Sequence, residues 1–227
     1  MIYDPPRRRF LLAGGFQSLS LVGGRLNVLG TRPVSDTWQW TAAGGWVDLD
    51  AKLPSIALGQ MGVGFDGEFP VLYTDSLTFG AGDSHLYRFE NDQWVIKQSR
   101  PTDRGFTAAS WSSANQQMLL EGGLEIEANG APSGQPKHGT FLVAADRPFV
   151  TMPEPYRVGA RRGVASATLA DGSVLMFGGS NDETRLNQTL VWNGGAWSLV
   201  AAGPNARRSA ALAPLGAKAV LFGGNDG

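Results

Sequence analysis

Short apolar runs, each closed by a glycine-rich turn, recur along the whole chain. Residues 174–179 read Val-Leu-Met-Phe-Gly-Gly, followed after a loop by Leu190-Val-Trp-Asn-Gly and then Trp197. Residues 118–123, Met-Leu-Leu-Glu-Gly-Gly, begin the same phrase, which continues through Phe141-Leu-Val to Phe149. Another copy starts at 220–224, Val-Leu-Phe-Gly-Gly. Between runs stand Asp-Gly and Asn-Gly pairs, at Ala170-Asp-Gly-Ser, Phe65-Asp-Gly and Asn193-Gly-Gly. Such pairs close hairpins, because glycine accepts the positive φ of the tight turn. The pattern predicts β-strands throughout and no helix of normal length.

Repetition on this scale points to a solenoid or a propeller. The aromatic anchors Phe10, Trp46, Trp94, Phe149 and Trp197 are spaced 36, 48, 55 and 48 apart (46−10, 94−46, 149−94, 197−149). Four-stranded propeller blades run roughly 40–50 residues. The N-terminal run Ile2-Tyr-Asp-Pro, then Arg9-Phe-Leu-Leu-Ala13, reads as the second half of a repeat. The prediction is therefore one all-β domain over 1–227, a five-bladed β-propeller of four-stranded antiparallel blades. The blades are expected at 18–50, 59–98, 105–152 and 163–201. The last combines 209–223 with 2–13, so that N-terminal strands pair with C-terminal ones and close the ring. Blade one is read as strands 18–22, 26–29, 37–41 and 45–50. Inner strands read as small residues, such as Ala165-Ser-Ala and Ala108-Ala-Ser, as a narrow axis requires.

Composition narrows the function classes. The net charge of −1 gives no global reason to bind nucleic acid or an anionic membrane. No cysteine is present, which excludes disulfides, thiolate catalysis and cysteine-ligated metal. The N-terminal segment lacks the apolar core of a signal peptide, and no apolar run is long enough to span a bilayer. A soluble, cytoplasmic protein of bacterial type is the expectation, with no cofactor and no metal. His85 and His138 are the only histidines, and their separation is not a metal-ligand pattern.

The diglycines at Phe177-Gly-Gly, Phe222-Gly-Gly and Glu121-Gly-Gly, the pair Tyr3-Asp4, and the spaced Trp46, Trp94 and Trp197 resemble the repeat of the Kelch family of β-propellers. Gly30-Thr31 and Thr74-Asp75 stand where two of the diglycines are expected. The resemblance implies a propeller and a choice among protein-binding adaptors, a copper oxidase and sugar mutarotases. The oxidase needs a cysteine cross-linked to tyrosine, which this chain lacks. In Kelch adaptors, arginines at the start of the inner strand bind acidic peptides.

Arg104, Arg162 and Arg208 each precede an inner strand, so three adjacent blades are expected to present arginines at one rim. Guanidinium offers a bidentate fork to carboxylates. The plainer reading makes them hydrogen-bond donors to backbone carbonyls between blades. Glu121 holds a place that is apolar elsewhere, at Phe177, Phe222, Tyr73 and Leu29, and is expected beside Arg104 as an ion pair or a general base. The polar loop 124–137, with Glu125 and Glu127, is either a lid or a flexible connection. Arg7-Arg-Arg9 and Asp182-Glu183 read as solvated turns, and the tryptophans as inter-blade core. The expected function is non-catalytic binding of a protein partner or small anionic ligand through Arg104, Arg162, Arg208 and Glu121. The alternative is an acidic-sugar mutarotase or epimerase using Glu121 with Arg104 and Arg162.

Overall fold

The computed structural model describes residues 1–18, 21–22, 25–26, 31–54, 61–75, 83–101, 104–105, 107–126, 132–152, 158–181 and 184–226. All regular structure among them is β. No helix is long and apolar enough to cross a membrane.

The strands group into repeating antiparallel units. Unit I has β1 (Ile2–Asp4) and β2 (Arg9–Ser18), a small separate hairpin of β3 (Leu21–Val22) and β4 (Arg25–Leu26), then β5 (Thr31–Thr41) and β6 (Gly45–Asp48). Its sheet order is β1-β2-β5-β6. Unit II is β7 (Met61–Phe65), β8 (Pro70–Thr74), β9 (Asp83–Glu90) and β10 (Gln93–Pro101). Unit III begins with the short β11 (Arg104–Gly105), then β12 (Ala108–Ser112) and β13 (Gln117–Glu121). After β14 (Leu124–Ile126) and β15 (Pro132–Pro136) it is completed by β16 (Thr140–Val143) and β17 (Val150–Thr151). Unit IV is β18 (Ala165–Thr168), β19 (Val174–Phe177), β20 (Gln188–Trp192) and β21 (Trp197–Ala202). Unit V consists of β22 (Ala211–Leu215) and β23 (Lys218–Phe222). A parallel bridge between Val63 and Ser110 joins units II and III into one eight-stranded sheet. First strands of successive units lie side by side, in the order β1, β7, β12, β18, β22.

Burial follows that order. Period-two alternation sends one set of side chains to each face of a sheet, and both faces are covered wherever a unit has two neighbours. Ile2, Leu11 and Ala13 of unit I pack on Leu72, Tyr87, Phe89 and Trp94 of unit II. Val71, Tyr73 and Leu86 of unit II meet Trp111, Met118, Leu120 and Phe141 of unit III. Ala108, Leu119 and Leu142 of unit III meet Met176, Leu190, Trp192 and Trp197 of unit IV. In each junction the later unit contributes an outer aromatic pair. Two of these pairs also anchor through hydrogen bonds: Trp94 Nε1 donates to Thr37 Oγ1 at 2.8 Å, and Trp197 Nε1 to Thr140 Oγ1 at 2.9 Å.

The expected closure is not formed. The N-terminal strands 2–4 and 9–13 belong to unit I, where Phe10 pairs with Trp40 and Leu11 with Gln39. Among the described residues, strands β22 and β23 pair only with each other. The hairpin at 2–13 is the inner half of a unit, not the outer half. Pairing it with 31–41 closes a short loop and buries Ile2 and Leu11, whereas pairing it with 219–223 spans nearly the whole chain. The misplacement came from the diglycine of unit I. It is Gly14-Gly15, with φ of +63° and +114°, matching Gly122-Gly123 at +69° and +105°. Segment 18–29, read as the inner strands of blade one, holds the separate β3–β4 hairpin; positions 19–20, 23–24, 27–30 and 59–60 lie outside the described residues.

The diglycines join neighbouring units. Gly123 N donates to Arg161 O, and Gly179 N to Arg207 O, both at 2.9 Å. A Cβ on Gly122 would sit 2.5 Å from Arg161 O, and one on Gly178 2.4 Å from Arg207 O. Left-handed backbone costs a non-glycine roughly 1–2 kcal/mol, and overpacking adds about 1–3 kcal/mol. Gly122→Ala should therefore lose about 2–5 kcal/mol of stability in urea unfolding at unchanged m-value. Gly216→Ala, at φ +59° with open space around it, should lose only about 1–2 kcal/mol. Equal losses would show that the close approach carries no cost.

Candidate functional site

Two classes of arginine stand at the diglycine end of the sheets. Ala108 pairs with Glu121, Ala165 with Phe177 and Ala211 with Phe222. Counting four back from each alanine gives Arg104, Arg161 and Arg207, which are therefore equivalent. Each turns its guanidinium onto the first glycine carbonyl of its own unit. Arg104 Nη1 donates to Gly122 O at 3.2 Å, Arg161 Nη1 to Gly178 O at 3.4 Å, and Arg207 Nη1 to Gly223 O at 3.1 Å. Arg104 also lies over the Phe141 ring, 4.1 Å from its centroid. Arg161 donates further to Gln188 Oε1 at 2.8 Å and to Val158 O. Arg104 and Arg161 are buried. These are carbonyl donors within and between units, and Arg104 belongs to this class.

Arg162 and Arg208 occupy the next position, where unit III has Gly105. Their side chains are half-buried. Their backbones form two-way bridges: Arg162 with Ser180 at 3.0 and 2.9 Å, and Arg208 with Asn225 at 3.1 and 2.9 Å. Ser180 also bridges to Arg185, whose Nη2 donates to Asn225 Oδ1 at 2.7 Å. Arg162, Arg185 and Arg208 are thus tied into one group across units IV and V. Among the described residues none of the three has a carboxylate partner, and the Nε of Arg162 and of Arg185 is buried without a hydrogen bond. Arg185 carried no signal in the sequence, because it lies in the loop after the diglycine and is folded back by tertiary contacts, the Ser180 bridge and the Leu186 N to Gly179 O hydrogen bond among them. Asp182-Glu183 lies outside the described residues.

Glu121 is 1% exposed and accepts a hydrogen bond from Thr140 Oγ1 at 2.5 Å. It faces unit IV across a cavity of about 10 Å³ lined with Ser110, Ser166 and Trp197. That is room for about one water, so an acidic sugar has no space beside it. The structure places Ala13 of unit I, not Leu29, opposite Thr37 in the matching position; Leu29 lies outside the described residues. Loop 124–137 largely forms a side sheet, β11-β14-β15, with Lys137 Nζ 3.3 Å from Glu125 Oε1. Glu127 lies outside the described residues. His85 Nδ1 is 2.8 Å from Ser99 Oγ, and the His138 carbonyl accepts from Arg104 at 3.5 Å.

A buried polar cluster went unread in the sequence. Asp75 replaces the second glycine of unit II, and its Oδ2 accepts from Thr107 N of unit III at 3.0 Å. Burial pushes its carboxyl up to about 6, against hydrogen bonds from Thr107 and Tyr73 and the charge of Arg104. Burial, with Asp75 second, pushes the Tyr73 hydroxyl well above its usual range. The departure Thr74-Asp75 from the diglycine was the available signal.

No protein-family model matches the sequence, and no curated protein does. The solved structure of YjhT superposes with a TM-score of 0.70 at 12% sequence identity, covering 96% of this chain and 75% of that one. Identity that low speaks to fold alone. It agrees with an all-β chain of repeated antiparallel sheets.

Arg104→Ala and Arg161→Ala should each cost about 2–4 kcal/mol in urea unfolding, since they strand buried carbonyls. Arg162→Ala and Arg208→Ala should stay within about 0.5 kcal/mol of the parent. Comparable losses at all four would make every arginine structural.

Asp75 sets a pH dependence. Its folded-state value lies above the unfolded one, so the folded state holds the proton longer. Its contribution to stability is therefore full below pH 4 and falls as pH rises from about 4 to about 6. The loss approaches about 3 kcal/mol above that window. Asp75→Asn keeps an acceptor for Thr107 and should flatten this part of the stability–pH curve. An unchanged curve would mean that Asp75 titrates normally.

Proposed function

We propose that the chain is a Kelch-like β-propeller, with units I–V as its blades, that binds an anionic ligand or an acidic segment of a protein partner without turning it over. The observation that carries the reading is the group Arg162, Arg185 and Arg208. Three half-buried arginines are linked, Arg162 and Arg208 by backbone bridges to Ser180 and Asn225, and Arg185 by a backbone bridge to Ser180 and its Nη2 on Asn225 Oδ1, and they lack carboxylate partners among the described residues. Arginines held in this way keep their charge and can fork onto carboxylate or phosphate oxygens. The equivalent carbonyl-binding arginines, Arg161 and Arg207, hold the backbone beneath them, so the rim charges are positioned by the fold. Arg104 and Glu121 play supporting parts in this reading, not ligand-binding ones.

A thermal-shift panel of uronic acids, nucleotides and acidic peptides should give stabilising hits that weaken as salt is added. For the best of these probes, Arg162→Ala, Arg185→Ala and Arg208→Ala should each reduce affinity about tenfold. An affinity indifferent to all three changes would remove the site. Anomer exchange of a uronic acid, followed by NMR, should run at the uncatalysed rate; acceleration would restore the mutarotase reading.

A further inference from the structure

At the end of the sheets away from the diglycines, two seams are each closed by one polar side chain. At seam I–II, Arg9 donates to Asp4 and Gln39 of its own unit and to Asp92 of unit II, all at 3.0 Å. At seam III–IV, Asn115 accepts from Trp192 Nε1 at 2.9 Å and donates to Gly194 O at 2.8 Å. In both, the first hairpin of one unit is bonded to the turn between the third and fourth strands of the next. Seam II–III is built differently. Asp66, in the first hairpin of unit II, turns to its own unit. Its Oδ1 accepts from Glu68 N and Phe69 N, and its Oδ2 lies 2.5 Å from Arg88 Nε. The matching turn of unit III is held from the outer strand of unit II, by Gln98 Nε2 on Arg147 O at 3.0 Å and by Arg100 over the Phe149 ring. Among the described residues no hydrogen bond joins Asp66 to that turn. Between the two lies a cleft of about 130 Å³. By the measure that leaves one water beside Glu121, it has room for about ten waters, or for a ligand of up to about ten non-hydrogen atoms.

The lining mixes charge with an apolar floor. Trp111, Val71 and Leu86 form the floor, and all three are buried. Each wall carries an ion pair: Asp66 with Arg88 from unit II, and Asp146 with Arg147, 3.5 Å apart, from unit III. Arg88 is positioned by Asp66 and by the Phe69 ring, 5.4 Å from its guanidinium carbon. Gln116 of unit III also lines the cleft. Its φ of +54° is left-handed, whereas the unit IV turn has Gly172, at +84°, just before its second strand. Left-handed backbone is costly for a residue with a Cβ, and such residues gather at functional sites. The Gln116 Nε2 donates to Ser113 O at 2.7 Å, and its Oε1 has no hydrogen bond among the described residues.

We propose that this cleft binds a free amino acid with a compact apolar side chain. Its walls hold two carboxylates and two guanidinium groups, so a simple anion or cation meets as much repulsion as attraction. A zwitterion aligned with the walls meets attraction at both ends. Its carboxylate takes the forks of Arg88 and Arg147, and its ammonium takes Asp146 and the Gln116 Oε1. Its side chain covers the floor of Trp111, Val71 and Leu86, out of water. The bound molecule then joins the first hairpin of unit II to the third-strand turn of unit III, the connection that Arg9 and Asn115 make at the other seams. The cleft lies at the opposite end of the sheets from Arg162 and Arg208, so it stands or falls apart from the anion site.

The probes are L-alanine, L-valine, L-proline and L-leucine, titrated against the whole chain and followed by ligand-observed NMR. At least one should bind saturably with a Kd of about 1 mM or tighter. For the best of them, the N-acetyl and the amide derivatives should each bind about tenfold more weakly, since one loses the ammonium and the other the carboxylate. Asp146→Asn and Arg147→Gln, on an exposed turn, should each weaken binding about fivefold. Gln116→Gly should do the same while leaving the urea midpoint unchanged or raised, because it removes left-handed strain. Ala145→Leu, which fills the cleft, should abolish binding. If that variant fails to fold, Gln116→Gly and Arg147→Gln carry the test. No saturation by any of the four probes overturns the inference, as does binding that survives Ala145→Leu in folded protein or ignores Gln116 and Arg147. An N-acetyl derivative bound as tightly as its parent would make the cleft a plain anion site and overturns it too.

Discussion

The second strands of units III and IV end on a peptide that must pass within hydrogen-bonding distance of the next unit's backbone, and much of the architecture depends on that approach. Gly123 and Gly179 donate to the carbonyls of Arg161 and Arg207 in the next unit. Those same arginines reach back with their side chains to Gly178 and Gly223. One residue therefore serves two seams, its carbonyl bound by the preceding unit and its guanidinium by its own. Backbone so close leaves no room for Cβ, and positive φ reinforces the choice of glycine. Unit II departs from the rule, and there a buried carboxylate, Asp75, takes over the connection to Thr107.

The seam also fixes where several of the arginines stand. Arg161 and Arg207 donate to backbone carbonyls, and Arg161 also to Gln188 Oε1. The neighbouring Arg162 and Arg208 are carried at fixed positions by backbone bridges, so their placement needs no counter-charge. Elsewhere arginines are matched: Arg9 with Asp4 and Asp92, Arg88 with Asp66. Among the described residues, Arg162 and Arg208 have no such carboxylate partner.

Much of the strand pattern could be read from the sequence because it is local. The hairpins of units II and IV, the diglycines at 122–123, 178–179 and 223–224, and the aromatic anchors Trp94 and Trp197 fall where apolar runs and turn residues put them. The first blade was misread because Tyr3-Asp4 imitates an outer-strand phrase. Gly14-Gly15 was passed over in favour of Gly30-Thr31. The sequence places doubled arginines at 161–162 and 207–208 ahead of inner strands, but which of each pair faces the glycine carbonyls turns on a one-residue register that only the fold sets.

The sequence by itself determined the all-β character, the repeat, the hairpin turns and the presence of arginine ahead of each inner strand from unit III onward. These follow from side-chain periodicity and from the φ that glycine permits, which act within a few residues. Tertiary structure decided which strand pairs with which, why Glu121 lies against a cavity with room for about one water, and how Arg185 joins Arg162 and Arg208. Such outcomes depend on which faces find a partner across the chain, and a strand's own residues specify the face it offers, not the surface that covers it.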